Sequence, residues 1–261
     1  MSKKSKQSVK SIALTADWHV GSMTGLSAIP KNDTQKALLS KFKECISMYG
    51  KPDMLIINGD ATDGDQRKSG GVGLSEADLR EQEKDVVALI KLWKPKEVFL
   101  VSGTAYHVGL ISSEQRIADT LNDYCNIKAT YIRKLNLIIN NWFRFQARHF
   151  IGSSNNPAGR ATAAGRANMW EILNAYQSGD KAADLSVFAH VHYYDLHQSA
   201  FGTTMVLPCF QAYGTPYGDE KCSGHIDIGM VNLIVGKTEK EGWSWSKQLY
   251  SAKIKSRNLK R

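Results

Sequence analysis

The chain has 261 residues, with 34 Lys and Arg against 25 Asp and Glu, 42% hydrophobic residues and a net charge of +9. These proportions exclude a disordered or fibrous chain, and the length suffices for one large domain with a sizeable core. No apolar run approaches the roughly 18 residues of a membrane span, and Ile12-Ala13-Leu14, behind the basic start, is too short for a signal-peptide core. The four cysteines, Cys45, Cys125, Cys209 and Cys222, are scattered without a C-x-x-C pair. They read as ordinary thiols of a reducing compartment, so the expected location is the cytoplasm, away from membranes.

The excess charge sits at the ends. Residues 1–10 hold four lysines, and residues 251–261 hold Lys253, Lys255, Arg257, Lys260 and Arg261, with no acid in either segment. The expected organisation is therefore a basic tail (1–10), one domain (11–250) and a second basic tail (251–261). Inside the neutral body, the stretch from Tyr124 to Trp170 contains Lys128, Arg133, Lys134, Arg144, Arg148, Arg160 and Arg166 and no acid.

In chain order, residues 11–16 form an apolar, strand-like run. Helical spacing through Ala37, Leu38, Phe42, Cys45, Ile46 and Tyr49 predicts a helix over 33–49, capped by Asn32 or Asp33. Residues 54–58 read as a buried strand ending at Gly59-Asp60. A helix over 75–93 is expected, with Ser75 as its cap, Asp78 three residues on and Pro95 as its stop. A third strand (97–102) and a helix at about 113–123 follow. Continuous apolar strands alternating with helices indicate a layered α/β domain. The second half is richer in strands: a hairpin over 129–150 turning at Asn140-Asn141, then a loop (152–159), a helix at about 160–177, and strands near 184–190, 193–200, 203–210, 226–236 and 242–254.

Residues with metal-binding chemistry follow these strands. The first is followed by Asp17-Trp18-His19, the second by Gly59-Asp60-Ala61-Thr62-Asp63 and the third by Gly103-Thr104-Ala105-Tyr106-His107. His149 ends the hairpin, and Ala189-His190-Val191-His192 follows a later strand. In open α/β sheets ligands bind beyond the carboxyl ends of the strands, so five segments can supply one rim. D-x-H and H-x-H put two donors on alternate positions of an extended segment. A mixed carboxylate and imidazole set suits manganese, iron, zinc or nickel more than magnesium. A carboxylate shared by two such ions would let them polarise a phosphoryl oxygen and activate a water.

These five elements, in this order from residue 17 to residue 192, resemble the signature of the calcineurin-like metallophosphoesterases: D-x-H, G-D-x-x-D, G-N-H-[DE], a lone His, and G-H-x-H. The resemblance implies an α/β fold, a two-sheet β-sandwich flanked by α-helices, with a dinuclear metal site at the strand C-terminal ends. It implies that Asp17, His19 and His192 hold one ion, that Asp60 bridges to a second, and that His149 and His190 complete the second. His107 matches the family's proton donor near the leaving group. The chain departs from the signature at two positions. Thr104 stands where the family has a ligating asparagine, leaving Thr104 or a water to supply that oxygen, and Ala189 replaces a glycine. Asp63 and Asp65, in a glycine-containing loop, read as turn or solvated acids. Arg160, and to a lesser degree Arg166, are candidates to hold a substrate phosphate.

The function expected from this reading is two-metal hydrolysis of phosphate esters, with manganese preferred and iron, zinc or nickel as alternatives. The basic tails and the acid-free stretch favour a phosphodiesterase or nuclease acting on DNA or RNA. The alternatives are a phosphomonoesterase and a non-catalytic nucleic-acid or protein-binding module on the same fold. The sequence leaves the oligomeric state undetermined.

Overall fold

The computed structural model describes residues 8–66, 70–108, 112–152, 157–214 and 226–251. Most of both basic ends lies outside the described residues, as do much of the 152–159 loop and the side chain of Arg160. In chain order the first half comprises β1 (Lys10–Thr15), α1 (Asp33–Tyr49), β2 (Met54–Asn58), α2 (Leu79–Trp93), β3 (Glu97–Val101), α3 (Ala105–Val108), α4 (Ser113–Cys125) and β4 (Lys128–Ile132). The second half comprises β5 (Leu135–Ile139), β6 (Phe143–Ala147), α5 (Pro157–Ser178), β7 (Leu185–Phe188), β8 (Asp195–Ser199), β9 (Gly202–Val206), β10 (Asp227–Val235) and β11 (Trp243–Ser251).

The strands form two sheets, ordered β11-β10-β1-β2-β3-β4 and β5-β6-β7-β9-β8. Strands β1 to β4 are mutually parallel, as are β6, β7 and β9, whereas β5, β8, β10 and β11 join antiparallel to their neighbours. Alternation along the first sheet divides its side chains between two cores. Ile12, Leu14, Ile56, Phe99 and Val101 cluster with Phe143, Phe145, Leu185, Val187 and Met205 of the second sheet. Ala13, Leu55, Ile57, Val98 and Leu100 instead meet Leu38, Phe42, Val86, Ile90, Trp93, Ile117 and Leu121 of α1, α2 and α4. On the far side of the second sheet, Ala163, Ala164 and Ala167 of α5 pack against Phe188 and Val206. The result is a β-sandwich with helices on both outer faces. Among the described residues no helix is long and apolar enough to cross a membrane.

Local chemistry sets the boundaries and moves some of them from the sequence expectation. Asn32 caps α1, accepting from the Gln35 amide at 2.9 Å. The cap of α2 is Asp78, which accepts from the Arg80 amide at 2.8 Å. Ser75 is not the cap, because its hydroxyl donates to the Gly21 carbonyl at 3.0 Å and ties the preceding loop to the site. Residues 128–132 do not belong to the expected hairpin: β4 pairs in parallel with β3 at the sheet edge. The hairpin is β5–β6, and Asn140 and Asn141 at its tip have φ of 52° and 64°, the left-handed pair that a tight two-residue turn requires. Helix α5 begins earlier than expected, at Pro157, where the fixed φ and missing N–H of proline suit a first helical position.

Candidate metal centre

Every segment singled out for its donors leaves the C-terminal end of a strand: β1 for Asp17 and His19, β2 for Asp60 and Asp63, β3 for Thr104 and His107, β6 for His149, and β7 for His190 and His192. The strands stop there because the backbone turns. Asp17, His19, Asp60, His190 and His192 have φ of 50°, 46°, 48°, 78° and 59°, the left-handed region that costs a side-chain-bearing residue about 1–3 kcal/mol. Asp and His are among the few types that enter it with any frequency. Fixed partners hold these turns. The Asp17 and His19 amides donate to the carbonyls of Gly59 and Asp60 at 3.1 and 3.0 Å, and the His190 amide donates to Asp17 Oδ2 at 3.1 Å. Gly59 and Gly103 belong to the same construction, since a Cβ on the first would overlap the His149 ring and one on the second the Asp60 carboxylate.

Three groups of donor atoms result, each lying within 4.8 Å: Asp17, His19 and His192; Asp60, His149 and His190; and His19, Asp60 and His107. In the first, the two Nε2 atoms of His19 and His192 are 3.2 Å apart, and Asp17 Oδ1 lies 3.8 and 3.4 Å from them. Two nitrogens bound tetrahedrally to an ion at about 2.0–2.1 Å would be separated by about 3.4 Å, so the donor spacing fits a bound divalent ion. In the second, His149 Nε2 lies 3.0 Å from Asp60 Oδ2 and 3.9 Å from Asp17 Oδ1, which brings the two groups side by side. Asp17 Oδ1 and His149 Nε2 are buried without a hydrogen-bond partner among the described residues. A buried donor or acceptor left unpaired is costly, and a cation would satisfy both.

The other ring nitrogens are already committed. His149 Nδ1 lies 2.7 Å from the Asn58 carbonyl and His19 Nδ1 lies 3.0 Å from Asp63 Oδ1, so each donates from Nδ1 and leaves Nε2 for a ligand. Asp63 is therefore not the solvated turn acid that its glycine-containing loop suggested. It is 1% exposed, accepts from Gln66 Nε2, and lies 3.2 Å from His107 Nδ1, which also contacts the Asp63 carbonyl at 3.0 Å. Its place as the last residue of G-D-x-x-D was the available signal. Thr104 reaches the centre through a carboxylate. Its amide donates to Asp60 Oδ1 at 2.7 Å and its hydroxyl lies 3.1 and 3.2 Å from the two Asp60 oxygens, so Thr104 supports the Asp60 carboxylate.

Electrostatics agree with the charge a metal would bring. Burial disfavours the ionised carboxylates of Asp17, Asp60 and Asp63, but the surrounding histidines outweigh it and hold all three below the usual carboxylate range. Burial likewise disfavours charged His19 and His149, yet Asp17 and Asp63 carry the first to about 10, and Asp60 and Asp17 carry the second to about 9. Burial and the neighbouring His149 lower His190. Protons on His19 and His149 thus balance buried carboxylates, and a divalent ion would supply the same positive charge and displace them.

Strand order, helical flanks and donors in the sequence Asp17, His19, Asp60, His107, His149, His190, His192 are now in one place. The arrangement is the one that the resemblance to the calcineurin-like metallophosphoesterases implied: a two-sheet sandwich flanked by helices, with the donors after successive strands. No protein-family model and no curated protein matches the sequence. Solved structures similar to this chain include Vacuolar Protein Sorting 29 from Cryptosporidium parvum, at 12% identity and a TM-score of 0.47, covering 93% of this chain and 98% of that one. An archaeal phosphodiesterase aligns at 10% identity and a TM-score of 0.45, covering 92% and 99%. Wild-type Vps29 from Entamoeba histolytica, complexed with zinc, aligns at 11% identity and 0.42, covering 92% and 98%.

Proposed function

We propose that this protein hydrolyses phosphodiesters with two divalent ions, manganese preferred, and that its substrate is nucleic acid in the cytoplasm. The observation that carries the reading is the pair of adjoining donor groups built on Asp17 and Asp60, in each of which all the ligand atoms lie within 4.8 Å of one another. Asp17, His19 and His192 would hold one ion, and Asp60, His149 and His190 the other. Ions bound there would polarise a phosphoryl oxygen and lower the pKa of a coordinated water. The chain's own residues then orient and protonate. Asp63 fixes the His19 ring, Thr104 fixes the Asp60 carboxylate, and His107, held through Nδ1 by Asp63, would act as the imidazolium, giving its Nε2 proton to the leaving oxygen and ending as the neutral Nδ1–H ring.

Side-by-side assay of bis-p-nitrophenyl phosphate and p-nitrophenyl phosphate with manganese tests this. The expected result is diester turnover that falls at least about a hundredfold in His107→Ala, the usual worth of a general acid, and is abolished in His190→Ala. Preference for the monoester would make the protein a phosphomonoesterase. No turnover of either, with manganese binding shown by calorimetry, would leave a binding module on the same fold.

A further inference from the structure

Beside the metal centre lies a cavity of about 500 Å³ between β6, its following loop and α5, walled by Arg148, Phe150, Ile151, Arg166, Trp170 and Phe188. It adjoins the centre directly: the Phe150 ring lies 5.0 Å from the His190 ring, centroid to centroid. Phe150 and Trp170 are 63% and 62% exposed, an unusual condition for two large aromatic side chains on one groove. The two arginines differ. Arg148 is spoken for, with Nη2 2.9 Å from Glu171 and the guanidinium 4.7 Å over the Phe188 ring, so it forms a wall. Arg166 is exposed on α5 and has no ion pair among the described residues.

Exposed π-faces, an uncompensated guanidinium and a nearby phosphate-ester centre select an occupant with flat bases joined by phosphates. We infer that this groove binds single-stranded nucleic acid, with bases stacked on Phe150 and Trp170 and a backbone phosphate on Arg166, and so guides the strand across the metal centre. The inference rests on the hydrolase reading above for its position, though not for its binding test. Duplex is a poorer occupant because its bases offer no open face to stack on, whereas unpaired bases do. The acid-free stretch in the sequence contributes less than its composition suggests. Lys128 pairs with Glu97, Arg144 with Asp180 and Arg148 with Glu171, at 2.5, 2.9 and 2.9 Å, so its cationic contribution narrows toward residues such as Arg166.

Fluorescence anisotropy of a labelled oligothymidylate against the full chain, with EDTA present so that no strand is cut, reads the groove alone. Phe150→Ala and Trp170→Ala should each weaken binding by about 5- to 100-fold, the worth of one stacked base, and Trp170→Phe should restore most of the loss. Arg166→Ala should flatten the slope of log affinity against log salt by about 0.7. Tyr176→Ala, on the same helix, 84% exposed and outside the groove, should change nothing. Equal affinity for the annealed duplex, or unchanged binding in both aromatic variants, would overturn the inference. So would a dimer in sedimentation that Trp170→Ala dissociates, since the face would then serve a second copy of the chain. Turnover of bis-p-nitrophenyl phosphate by the same proteins separates the two readings. Turnover without strand binding sinks the groove and keeps the hydrolase; aromatic-dependent strand binding without turnover does the reverse.

Discussion

The helices on the two outer faces of the sandwich are built in opposite senses. Helices α1 and α2 turn their large side chains inward, burying Leu38, Leu39, Phe42, Val86, Leu89, Ile90 and Trp93 against the first sheet. Helix α5 turns alanines inward, Ala163, Ala164 and Ala167, and presents Met169, Trp170, Leu173 and Tyr176 to solvent at 63%, 62%, 46% and 84% exposure. An alanine face lets a helix sit close to a sheet, but it buries little apolar area, and stability scales with that area. The first face is a core in the ordinary sense. On the second, the large apolar surface is surplus to folding, which leaves it available for contact with another molecule.

Three measurements can break or sharpen this contrast, taken from the largest expected effect. Phe42 is fully buried, with T-shaped contacts to Trp18, Trp93 and Phe210 at centroid distances of 5.3, 5.6 and 5.3 Å. Phe42→Ala should destabilise the fold by about 3–5 kcal/mol in denaturant titration, and a loss under about 1 kcal/mol would mean that the first face is no better packed than the second.

Glu114, in the first turn of α4 on the same face, is fully buried, with the Ser112 hydroxyl donating to one oxygen at 2.7 Å and the other oxygen unpartnered among the described residues. Burial, with the Asp60 charge adding to it, lifts its carboxyl from 4.5 to about 7. The folded state therefore holds the proton more tightly than the unfolded chain, and the carboxyl costs stability progressively as pH rises from 4.5 toward 7. Glu114→Gln should gain on the parent between pH 5 and pH 8 by on the order of 2 kcal/mol, read as a widening gap in Tm in the presence of EDTA. A gap independent of pH would place the carboxyl in a wetter setting.

The smallest effect belongs to α5. Trp170→Ala should move stability by no more than about 0.5 kcal/mol, as for an exposed position without special contacts. A loss near that of Phe42→Ala would show that its ring is part of a core after all.

What could be read from the sequence follows the same division. Strands β1, β2 and β3 are short apolar runs closed by Gly or a candidate donor residue, and α1 carries its cap and its period together, so their limits were legible almost to the residue. The start of α2 was not, because Ser75 and Asp78 are both good caps and only the tertiary bond from Ser75 to Gly21 decides between them. The strand at 128–132 alternates as a hairpin strand would, and pairing with β3 is a long-range choice that local pattern does not encode. The donors after each strand were visible as residue types in order. The support roles of Asp63 and Thr104 were not, since a buried acceptor and a turn acid look alike until a histidine is placed beside them. The orientation of α5 was equally hidden, for alanines and large apolar residues both recur along it, and only packing tells which set faces the sheet.

The left-handed backbone at Asp17, His19, Asp60, His190 and His192 has a consequence for laboratory evolution. Glycine or asparagine would sit at these five positions with less local strain, so a library sorted for heat resistance alone should drift toward them. Glycine would delete the donor atom outright, and asparagine would exchange an anionic oxygen or an imidazole nitrogen for a neutral amide oxygen. Thermal hardening and retention of the donor set are opposed at the same five codons, and a stabilised descendant of this chain would need both selections applied at once.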